Sequence, residues 1–149
     1  TSNVGTDTSM KACADRGTMP NAEGLAQVMR PDLLKSFKPA LLGRMTVVPY
    51  FPLSEPILRQ IIELNLKKIS DRLRTNHKAK FEYTPKVVET IASRCKEVES
   101  GARNVDHIIT GTVLPRVSRE VLTRLGEGHP VKQVKIDIDD AGAFTYEFA

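Results

Sequence analysis

Cysteine is nearly missing from this sequence: Cys13 and Cys95 are the two in 149 residues, and they stand far apart with no CxxC spacing. That excludes a disulfide framework and a cysteine-built zinc site, and it fits a reduced, cytoplasmic setting. Long apolar runs are also missing. None approaches the ~20 residues that cross a bilayer, and no basic-then-apolar leader opens the chain. The first residue is Thr1 rather than Met, so a piece of a longer protein is expected. No glycine-rich phosphate loop of the form GxxxxGK followed by Ser or Thr occurs, nor does GxGxxG, HExxH or GxSxG. The chain alone is therefore expected to be inactive towards ATP. His77, His107 and His129 fall in separate predicted elements or loops without metal-ligand spacing, so no metal site is expected.

What is present describes a globular protein: 40% hydrophobic and 27% charged residues, with both signs interspersed. The net charge of +4 raises a nucleic-acid partner as one class of function. Its densest cluster, Lys67, Lys68, Arg72 and Arg74, reads more plainly as a solvated helix end whose cations complement the dipole. The expectation is thus no nucleic acid and no membrane span. A basic helical nucleic-acid-binding module, ending in a helix and hairpin as a winged helix does, stands as the alternative from another class.

Thr1 to Asp7 is small and polar and reads as a strand end entering a loop, and no period is sustained up to Asn21. From Ala22 to Leu42, Leu25, Val28, Met29, Leu33, Leu34, Phe37, Leu41 and Leu42 recur at helical spacing, with Pro31 and Pro39 expected to divide the stretch into short helices. Met45 to Val48 is β-prone, and the prolines of Pro49-Tyr50-Phe51-Pro52 close it, which places a domain boundary there. Beyond it Ser54 can cap a long helix with Glu55 and Pro56 in its first turn and Leu58, Ile62, Leu66, Ile69 and Leu73 on one face. Phe81 and Tyr83 alternate with polar neighbours as in a strand, and Thr84-Pro85 opens a helix carrying Val87, Val88, Ile91 and Ala92. A third helix begins near Gly101 with Val105, Ile109, Val113, Val117 and Val121 on one face, and Pro115 should kink it. Two alternating runs, at Val134 to Ile138 and Phe144 to Phe148, flank the turn residues Asp139-Asp140-Ala141-Gly142 and predict a β-hairpin. The fold class is α+β: three helices against a small three-stranded sheet.

Two arginines stand in suggestive places. Arg44 follows Phe37-Lys38-Pro39-Ala40-Leu41-Leu42-Gly43, at a helix-to-strand junction where a cation is ordinary. Arg103 follows Ser100-Gly101-Ala102 at a helix start, where the dipole disfavours a cation unless an anion shares the site.

Taken in order, these segments resemble the second ATPase module of the Clp-type AAA+ unfoldases, over essentially the whole chain. Thr1 to Asp7 is similar to the sensor-1 strand end, which implies that Asn3 helps place the attacking water. Phe37 to Arg44 is similar to the arginine-finger motif, with Arg44 acting on ATP held by a neighbouring subunit. Gly101-Ala102-Arg103 is similar to the sensor-2 motif, with Arg103 reaching ATP bound in its own subunit. Within the family, Gly43, Asn104 and His107 resemble the type VI secretion branch, which disassembles contracted sheaths, rather than the disaggregase branch. The resemblance implies ATP and Mg in the full-length protein, with none tightly bound to this piece. It further implies neighbouring subunits of a homohexamer, and sheath proteins engaged through regions not in this chain. The domains expected are 1–51, the C-terminal remnant of the large AAA+ subdomain, and 52–149, the small lid subdomain. Phosphoryl transfer depends mainly on positioning and charge, which suits arginines whose planar guanidinium forks onto phosphate oxygens.

Overall fold

The computed structural model describes residues 1–15, 17–96 and 102–149, and its backbone divides into two compact units, Thr1–Pro52 and Leu53–Ala149. Each is described by itself.

In the second unit the predicted stripes are the core. Helix α4 (Glu55–His77) buries Leu58, Ile62, Leu66, Ile69 and Leu73, the residues whose steps of four, four, three and four put them on one face. Ser54 holds the cap position with extended backbone, but its side chain makes no capping bond, contrary to the sequence expectation. Glu55 instead pairs with Arg59 one turn on, at 3.0 Å. The helix ends on Lys78, whose backbone is left-handed (φ 57°), with its N–H on the Arg74 carbonyl and that of Ala79 on the Leu73 carbonyl.

Strand β1 (Lys80–Tyr83) follows, then helix α5 (Pro85–Lys96), which buries Val87, Val88, Ile91 and Ala92. β1 pairs in parallel with β2 (Gln133–Ile138), and β2 pairs antiparallel with β3 (Phe144–Phe148), giving a three-stranded mixed sheet in the order β1-β2-β3. The hairpin register sets Val134 opposite Phe148, Ile136 opposite Tyr146 and Ile138 opposite Phe144, so aliphatic and aromatic residues meet on the core face. Its turn closes through the Ala143 N–H on Asp139 Oδ1 at 2.8 Å, with Gly142 at φ 79°.

The third helical run departs from a simple rod. Helix α6 (Ala102–Ile108) passes through a π segment (Ile109–Val113) into helix α7 (Leu114–Gly126). The Leu114 N–H reaches the Ile109 carbonyl, five residues back. The spacing of the buried side chains explains why. Val105, Ile109, Val113, Val117 and Val121 are all buried, yet each lies four residues from the last. Four residues overshoot a 3.6-residue turn by about 40°, so over four steps a pure α-helix would spread them across roughly 160°. One wider turn absorbs an extra residue and returns the later valines to the stripe. Pro115 lies just beyond; it has no N–H for the Gly111 carbonyl and could not continue an ideal α-helix there. The kink expected at Pro115 is thus a widened turn on its N-terminal side.

The first unit differs more from expectation. Residues 6–12 form helix α1 (Thr6–Ala12) rather than loop, entered through Gly5 at φ 79°. The positive φ calls for glycine there, and the residue packs beside Met29 of the next helix, whose Cε would lie 3.1 Å from an added Cβ. Helix α2 (Ala22–Ser36) starts on Asn21, whose side chain accepts from the Gly24 N–H at 2.8 Å, and runs straight through Pro31. Pro31 and Gln27, whose carbonyl loses its partner, both face solvent, so water can satisfy that group. Pro39 does begin the short helix α3 (Pro39–Leu42). Only Leu25, Leu33 and Leu42 of the long apolar series are buried. The β-prone Met45 to Val48 forms no strand; the described residues of its own unit hold no other strand to pair with it.

Candidate functional site

Asn3 is exposed, ahead of α1, where its backbone carbonyl accepts from the Thr6 N–H at 3.3 Å and the Thr6 hydroxyl at 2.6 Å. The stretch is therefore a turn into a helix, not the strand end expected. Just beyond, the Thr8 hydroxyl donates to Asp32 of α2, and Lys35 pairs with Asp32 at 3.0 Å. The Thr8 bond, then the Lys35 contact, hold the Asp32 carboxyl below the usual carboxylate range. These contacts seat α1 on α2.

Arg44 stands two residues past α3, in the turn that closes it. The Gly43 N–H returns to the Pro39 carbonyl at 3.0 Å and the Arg44 N–H to the Leu41 carbonyl at 3.0 Å, while Leu42 is buried. The backbone at Arg44 is pinned, and its side chain is exposed.

Arg103 is the second residue of α6 and is exposed; Ala102 precedes it, half-buried. Gly101 lies outside the described residues. Two residues on, Val105 is fully buried and anchors the helix to the core. Asn104 Nδ2 donates to the Arg94 carbonyl of α5 at 3.3 Å. Arg94 in turn sends Nη2 to the Gly142 carbonyl at 2.6 Å, and its guanidinium lies 5.1 Å above the Phe144 ring. Arg94 is not flagged by the sequence patterns, and Asn104 is noted there only as a mark of the family branch; their partners are 48 and 10 residues away and follow no helix or strand period.

Asn3 and Arg44 thus belong to one unit and Arg103 to the other. Among the described residues neither arginine has an ion-pair partner. No group of three or more His, Cys, Asp or Glu side chains among the described residues could hold a metal ion. Two open grooves in the second unit, of about 300 Å³ between α4 and α7 and about 550 Å³ along α4 beside Tyr83, are lined by none of the sequence-predicted site residues. No helix among the described residues is long and apolar enough to cross a membrane. This arrangement offers exposed cations on held backbone, fit for phosphate oxygens.

Comparison with known proteins gives a consistent result. A family described as the C-terminal, D2-small domain, of ClpB protein matches residues 53–136. Over all 149 residues the chain is 47% identical to the AAA+ ATPase ClpV1 of Pseudomonas aeruginosa, covering 16% of that protein. It is 38% identical over 122 residues, 82% of this chain and 14% of the relative, to the chaperone protein ClpB of Yersinia enterocolitica. To the ATP-dependent Clp protease ATP-binding subunit ClpC of Staphylococcus saprophyticus it is 29% identical over 128 residues, 84% of this chain and 15% of the relative. The chain therefore spans about a sixth of the length of these relatives.

Proposed function

Because the chain belongs to the family of the ClpB C-terminal D2-small domain, among the Clp-type AAA+ ATPases, we propose that it is the nucleotide-sensing end of a ring-forming ATPase. The whole-chain likeness to an AAA+ ATPase named ClpV1 supports the type VI secretion branch, with contracted sheath proteins as substrate. In this reading, residues 1–51 are the tail of the large AAA+ subdomain and 52–149 the small lid subdomain. The first unit leaves Met45, Val48 and Tyr50 exposed, apolar surface that a larger subdomain would cover. The protein works in the cytoplasm as a homohexamer and binds ATP with Mg.

The observation that carries the reading is the pair of exposed arginines without ion-pair partners among the described residues, Arg44 and Arg103, each beside a buried anchor, Leu42 and Val105. Arg44 acts across the subunit interface on a neighbour's ATP, and Arg103, with Gly101 and Ala102 of the same motif, acts on ATP in its own subunit, while Asn3 places the attacking water. Each guanidinium stabilises charge on the transferring phosphoryl group; Mg, when bound with ATP, neutralises part of that charge and is held by other parts of the protein.

A mixing experiment in the full-length protein tests these roles. Subunits that carry Arg44→Ala and lack their phosphate-loop lysine should poison the sites of intact neighbours, lowering turnover by a large part of the ~10³–10⁵ that an arginine finger supplies. Subunits carrying Arg103→Ala with the same lysine change should impair mainly themselves. Turnover is followed against mixing ratio, with hexamer formation checked for both. Coincident curves from equally assembled rings would show that Arg44 is an ordinary helix-end cation.

A further inference from the structure

We propose that Asn104 is a positioning residue for Arg103 and that it works through Arg94; the proposal rests on the reading of Arg103 as the arginine that meets nucleotide. Arg103 is exposed at the start of a seven-residue helix, and its own side chain has no ion-pair partner among the described residues to hold it. An arginine has several rotatable bonds, so the turn that carries it must be fixed if the guanidinium is to arrive in one place. From below, the buried Val105 fixes that turn to the core. Sideways, it is fixed by Asn104, whose Nδ2 donates to the Arg94 carbonyl at 3.3 Å.

That carbonyl belongs to α5, so the bond ties the Arg103 turn of α6 to the neighbouring helix. Arg94 is itself held from the far side: Nη2 donates to the Gly142 carbonyl at 2.6 Å, and the guanidinium covers the Phe144 ring at 5.1 Å. Phe144 lies opposite Ile138 in the sheet and packs on the core. A continuous path of contacts therefore runs from the sheet, through both ends of the Arg94 residue, to the amide next to Arg103. A displacement near 1 Å in a group that positions reacting atoms can cost a hundredfold in rate, so even one such tether matters to function more than to stability.

The test is a double-mutant cycle in the full-length ring protein, reading kcat and KM for ATP and the melting temperature of wild type, Asn104→Ala, Arg103→Ala and the double variant. The expected result is a loss of about fivefold in kcat/KM from Asn104→Ala in the wild-type background, the size of one hydrogen bond, and no further loss when Arg103 is already alanine. Equal loss in both backgrounds, or none in either, overturns the proposal. Should Asn104→Ala melt early, Asn104→Leu, which keeps the volume and favours helix but cannot donate, decides the matter by the same comparison. If Arg103→Ala itself leaves kcat and KM unchanged, the underlying reading of Arg103 falls and this proposal with it. A loss at Arg103 that is not shared by Asn104 leaves the reading standing and removes only the tether.

Discussion

Replacing Lys78 by glycine should stabilise the second unit relative to alanine at the same position, reversing the order that holds inside helices. Lys78 closes α4 with φ 57° and ψ 19°, a left-handed conformation that the Cβ of an L-residue disfavours by roughly 1–2 kcal/mol. Glycine relieves that cost and gives back about 0.5–1 kcal/mol through its greater freedom in the unfolded chain. Alanine retains the cost. Both variants lose the cation near the helix end, so its dipole contribution cancels between them. The Lys78 N–H bond to the Arg74 carbonyl at 3.2 Å is backbone and survives in both. The Gly variant should therefore exceed the Ala variant by about 0.5–1 kcal/mol, roughly 2–8 °C in Tm for a unit of this size. Urea titration of the 149-residue chain, followed by helical circular dichroism, measures the difference. An Ala variant as stable as the Gly variant would refute the claim that the left-handed residue stores strain.

Two further predictions concern ionisable groups. Burial pushes the Cys95 thiol up, whereas Cys13 is partly exposed, so a maleimide at neutral pH should label Cys13 first and Cys95 only as the second unit opens, as read by peptide mass spectrometry. The raised value also means that Cys95 favours the fold at neutral pH and that this contribution fades as pH climbs past the ordinary thiol range. The Thr84 hydroxyl, donating at 2.6 Å, and then the Ile138 N–H hold the Asp137 carboxyl below the usual range. A depressed carboxylate stabilises the fold above its unfolded value and stops doing so as pH falls through its folded one. Thr84→Val should accordingly be less stable than the parent at pH 7, with the gap narrowing in acid; a gap that is constant from pH 7 to pH 3 would show that the carboxylate is not involved.

Where a residue pattern had one physical meaning, it could be read directly. The Leu58 to Leu73 stripe suits only a helix with one buried face, and alternation about Asp139 to Gly142 suits only a hairpin; both formed as expected. The family motifs named Asn3, Arg44 and Arg103 from local residues, and the roles given to them are proposals. Reading failed where an element is short or depends on a distant neighbour. Helix α1 is seven residues, too short to persist alone, and forms where Gly5 and Thr8 fit against α2. Met45 to Val48 has the composition of a strand and, among the described residues of its own unit, no partner strand. Pro31 looked like a boundary because a proline costs a hydrogen bond, yet α2 continues through it where the freed carbonyl is on the wet side.

By itself, then, the sequence determined which residues are apolar and at what interval, and hence the identity of the helices, the hairpin and the stripes that meet in the core. It also carried the spacing of four from Val105 to Val121, which no ideal α-helix keeps in phase. Only the tertiary structure decided how that mismatch is resolved: the core holds valines on both sides of Ile109 to Val113, so the backbone between them takes the wider turn. It alone decided, too, that the Arg94 carbonyl faces Asn104 while its guanidinium reaches the hairpin tip, because contacts between residues far apart in the chain follow from packing and not from local periodicity.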